Sequence, residues 1–136
     1  MSITFTDQDK RTLRTAAYGA VSLLVAAGAT GGSPHRIATN GSIALASGTG
    51  PVGHVLGEKT GDVDLNGKTI AELADRVLPA LTAAMELLKQ QDPAEADNFR
   101  GIVMVAIEAA TRTGKGEPGP TIVEMIRKIT AALDAA

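Results

Sequence analysis

The sequence contains no cysteine and no tryptophan, two histidines, and three aromatic side chains, Phe5, Tyr18 and Phe99. Without thiols there is no disulfide, no thiolate metal site and no cysteine nucleophile, and the composition fits a reducing cytoplasm. So few rings offer no platform on which bases could stack. The basic residues are also scattered, from Lys10, Arg11 and Arg14 down to Arg127 and Lys128, in a chain of net charge −2. Nucleic acid is therefore not an expected partner.

A long hydrophobic run is missing too. The stretch from Thr15 to Pro34 is uncharged but built mostly of Ala, Gly and Ser, short of the roughly twenty strongly apolar residues that a membrane span requires. Arg11 and Arg14 precede it as in a secretory leader, but Asp7 and Asp9 are wrong for a positive leader. A core helix is the expected reading, and no membrane partner follows from it.

What is present is aliphatic. The apolar share of 44% comes from Ala, Val, Leu and Ile, which calls for a close-packed, small-grained core. At 136 residues, one domain spanning 1–136 is expected. Thr6, followed by Asp7 and Asp9, opens a helix that should end near Gly28, with Leu13, Ala17, Ala20, Leu24 and Ala27 at helical spacing. Thr69 and Glu72 form a capping box before Ile70, Leu73, Val77, Leu81, Ala84 and Leu88; Pro79 inside this helix should kink or break it. Asp92-Pro93 with Glu95 opens a third helix to about Thr113. Its middle, Ile102 to Ile107, is apolar on every side and predicts the most buried element. After Gly114 to Gly119, a last helix carries Ile122, Ile126, Ile129 and Leu133 on one face.

The fold class expected is all-α, a bundle of four main helices with a Gly-rich irregular segment from about 29 to 68 over one end. Ten of the fifteen glycines fall between Gly28 and Gly67. Within it, Ser33-Pro34 predicts a helix to about Ala46, and Pro51 a short one to Leu56. The alternative is α+β, with a small hairpin turning at Asn40-Gly41.

Three motifs in this segment resemble chemistry. Gly48-Thr-Gly-Pro-Val-Gly53 matches the G-x-G-x-x-G turn that brings backbone amides onto a pyrophosphate, but no adequate strand precedes it and a plain glycine-rich loop is expected. Gly67-Lys68-Thr69 ends like a phosphate loop, yet position 62 is Asp and Gly61 lies one residue too far away. Asp62, Asp64, Asn66 and Gly67 open like a calcium loop, but Leu73 stands where the closing carboxylate belongs.

Candidate ligand-binding residues are thus His35 and Arg36 in the first turn of a capped helix, His54 beside the glycine motif, and Asp62 with Asp64. No metal set and no cofactor is implied. Glu108, set in an apolar helix, is either a buried acid or base or the partner of Arg112 one turn on, and the pair is the expected reading. With no nucleophile beside a base, the expected function is non-catalytic: a helical protein acting through protein contacts, including self-association as a homodimer. Ala- and Gly-rich helices that can approach closely, and the arm Ile3 to Phe5, motivate the dimer. The alternative is a small-molecule or anion-binding protein, enzyme or not, with its site in 29–68.

Overall fold

The structure, a computed structural model, describes residues 5–27, 41–57, 69–111 and 119–136. Among them the chain is all-α, and there is no strand. Helix α1 spans Asp7–Ala27, α2 Gly50–Gly57, α3 Ile70–Gln91, α4 Pro93–Thr111 and α5 Pro120–Asp134. Residues 41–46 are helical as well, so the hairpin reading of Asn40-Gly41 is overturned from position 41 onward; residues 34–40 lie outside the described ones.

The termini follow the sequence. Thr6 Oγ1 accepts from the Asp9 amide at 3.0 Å and the Thr6 amide donates to Asp9 Oδ2 at 3.1 Å, a reciprocal box that satisfies an orphan donor of α1. Thr69 Oγ1 accepts from the Glu72 amide at 3.1 Å and starts α3. Asp92 closes α3 through its amide to the Leu88 carbonyl and opens α4 through Oδ1, which accepts from the Ala94 amide. Pro79 does not break α3, which continues to Gln91. Val77, Leu81, Ala84, Met85 and Leu88 are buried on both sides of the proline, and their packing holds the two halves in one helix while Pro79 faces outward.

Helices α1 and α3 form the most extensive pair, and α4 and α5 each pack against both. The α1–α3 pair is close because Gly19 has no side chain: a Cβ there would meet both Cγ atoms of Val77 within 3 Å. The most buried helix is therefore α1, with eleven of 21 residues buried against seven of 19 in α4. This corrects the expectation of a fully enclosed α4. Ile102, Val103, Ala106, Ile107 and Ala110 are indeed buried, but Val105 is 57% exposed.

Within the glycine-rich segment, the described residues 41–57 add to the core. Leu45, Val52, Val55 and Leu56 are at most 2% exposed and belong to the same core cluster as Leu13, Leu81 and Phe99. Phe5 packs on this core too, so the described end of the N-terminal arm is covered by its own chain.

Candidate functional site

The glycine motif is the first place to look for chemistry, and its geometry is unusually well determined by packing. The helical stretch 41–46 ends at Ser47, whose hydroxyl donates to the Ile43 carbonyl at 2.8 Å. The chain then turns through Gly50, whose φ of +80° lies in the left-handed region that side-chain-bearing residues avoid. At Gly53 a Cβ would collide with the backbone of Gly48, so the first turn of α2 rests directly on the turn that precedes it. These are the demands that the dinucleotide turn makes of its glycines, but they are met here between two helices.

The anion position at the start of α2 is taken by the protein's own side chains. Glu95 of α4 places its carboxylate at the Val52 amide, 3.4 Å away, and Asn98 Nδ2 lies 3.4 Å from the same carboxylate. Asn98 Nδ2 also donates to the Thr49 carbonyl at 2.8 Å. The favourable interaction between a helix N-terminus and a negative charge is thus satisfied internally. At the other end, Arg14 Nε donates to the Val55 carbonyl at 3.2 Å and Tyr18 Oη to the Leu56 carbonyl at 2.6 Å. Both acceptors belong to the last turn of α2, where carbonyls have no partner within the helix. Burial pushes the Tyr18 phenol above its ordinary pKa, opposed by the nearby Arg14 charge.

Of the residues expected to bind a ligand, His54 lies on the exposed side of α2. His35, Arg36, Asp62 and Asp64 are outside the described residues, as is the calcium-like loop. Among the described residues no group of three or more His, Asp or Glu side chains is arranged to hold a metal. Thr69 of the phosphate-loop look-alike spends its hydroxyl on the helix cap. Glu108 is exposed, so the buried-acid reading is corrected; Arg112 lies outside the described residues.

What the sequence reading missed lies on the surface. Ile43 and Val105 are 60% and 57% exposed, the two most exposed large apolar side chains among the described residues. Val105 lines a groove of about 440 Å³ between residues 44–49 and α4, together with Ala44, Gly101 and Ile102, with Asp97 at its edge. Ile43 sits one turn before Ser47, which lines the same groove. Gly101 leaves open space above its Cα.

A second groove, about 480 Å³, runs between the starts of α3 and α5, over Ile70, Ala71, Ala74 and Met125, with Glu124 and Lys128 along it. Val123 of α5, 54% exposed, does not line it. Arg127 binds Glu124 through both nitrogens of its fork, and this hydrogen bond, with the charges of Arg127 and Lys128, holds the Glu124 carboxyl below its usual range. The only sequence signal for either groove was an apolar residue on the solvent side of its helix, which period counting alone does not separate from the core side.

No helix among the described residues is long and apolar enough to cross a membrane. Comparison with protein-family models, with curated proteins and with solved structures finds no match.

Proposed function

We propose that the chain is a non-catalytic helical protein of the cytoplasm that acts through protein contacts, self-association as a homodimer among them. The observation that carries this reading is the apolar surface left on two helix-lined grooves, where Val105 and Ile70 are 57% and 39% exposed. Single exposed apolar residues are ordinary on any surface; what counts here is that Val105 and Ile70 line grooves with small residues, Gly101 beside the one and Ala71 and Ala74 beside the other, into which another helix can settle. The absence of cysteine from the sequence supports a reducing compartment.

Light scattering on the full chain at micromolar concentration tests the reading. The expected result is a mass approaching twice the 13.9 kDa of one chain. A mass that stays at one chain up to the highest soluble concentration would remove self-association from the account.

A further inference from the structure

We draw no further inference here: the strongest candidate, the groove between the starts of α3 and α5 lined by Ile70, Ala71, Ala74 and Met125, is an unpartnered apolar face, and nothing in the structure shows what covers it.

Discussion

Helices α1 and α4 use apolar residues in opposite ways. By sequence α4 is the more hydrophobic of the two in its middle, with Ile102 to Ile107 uninterrupted, while α1 carries Asp7, Asp9, Lys10, Arg11 and Arg14. Yet α1 is the centre of the fold, and α4 keeps Val105 in solvent. The difference lies in side-chain size. Ala16, Ala17, Gly19 and Ala20 let α3 approach α1 until Val77 occupies the space a Cβ of Gly19 would need, and small residues are what allow a helix to be enclosed by several neighbours. Where hydrophobicity exceeds what the core covers, as at Val105 of α4, the surplus stays in solvent.

The interior of α1 offers the strongest test of that contrast. Leu24 is 1% exposed, and Leu24→Ala should lower stability by about 2–5 kcal/mol in denaturant melts, the cost of lost burial plus the cavity left behind. A loss under about half a kcal/mol would place α1 at the edge of the fold. Gly19→Ala asks whether the close approach to Val77 is fixed. The added methyl should cost roughly 1–3 kcal/mol through overpacking, and a stabilised variant would show that the two helices can move apart freely.

Tyr18 connects α1 to the end of α2, and Tyr18→Phe should cost about 1 kcal/mol by leaving the Leu56 carbonyl without its donor. The bond also predicts a pH dependence. Because the folded-state pKa of Tyr18 is raised, its contribution is complete below the unfolded phenol's value of about 10 and is lost as pH rises through the higher folded value. Alkaline melts should therefore separate the wild type from Tyr18→Phe at neutral pH and bring them together at high pH. A constant gap across that range would mean that the phenolic proton is not what holds α2.

Local signals were legible in the sequence, and contacts between distant positions were not. The hydroxyl and acid at Thr6 and Asp9, and at Thr69 and Glu72, announce helix starts because the partners lie three residues apart. The stripe ending in Ile129 and Leu133 was readable for the same reason, and both are fully buried. The glycine motif was recognisable as a tight turn, but Glu95 reaches the Val52 amide across 43 residues, and no spacing rule reveals such a cap. In the sequence Glu95 reads as an acidic residue in the first turn of its own helix, and in the structure it serves the start of another. Arg14 and Tyr18, one turn apart on a helix face otherwise made of small apolar residues, were a visible hint of a polar task on the buried side of α1. Pro79 does not end α3, because its local cost is outweighed by the packing of Val77 and Leu81 beside it.

The two faces of α4 can be compared within two residues of each other. Denaturant melts of Ile107→Ala and Val105→Ala, run side by side at a concentration where the chain is monomeric, set a position 3% exposed against one 57% exposed. A two-faced helix predicts a loss of about 2–5 kcal/mol for Ile107→Ala and under about half a kcal/mol for Val105→Ala. Losses of similar size at the two positions would mean that Val105 is part of the core, and the contact surface proposed for α4 would not exist.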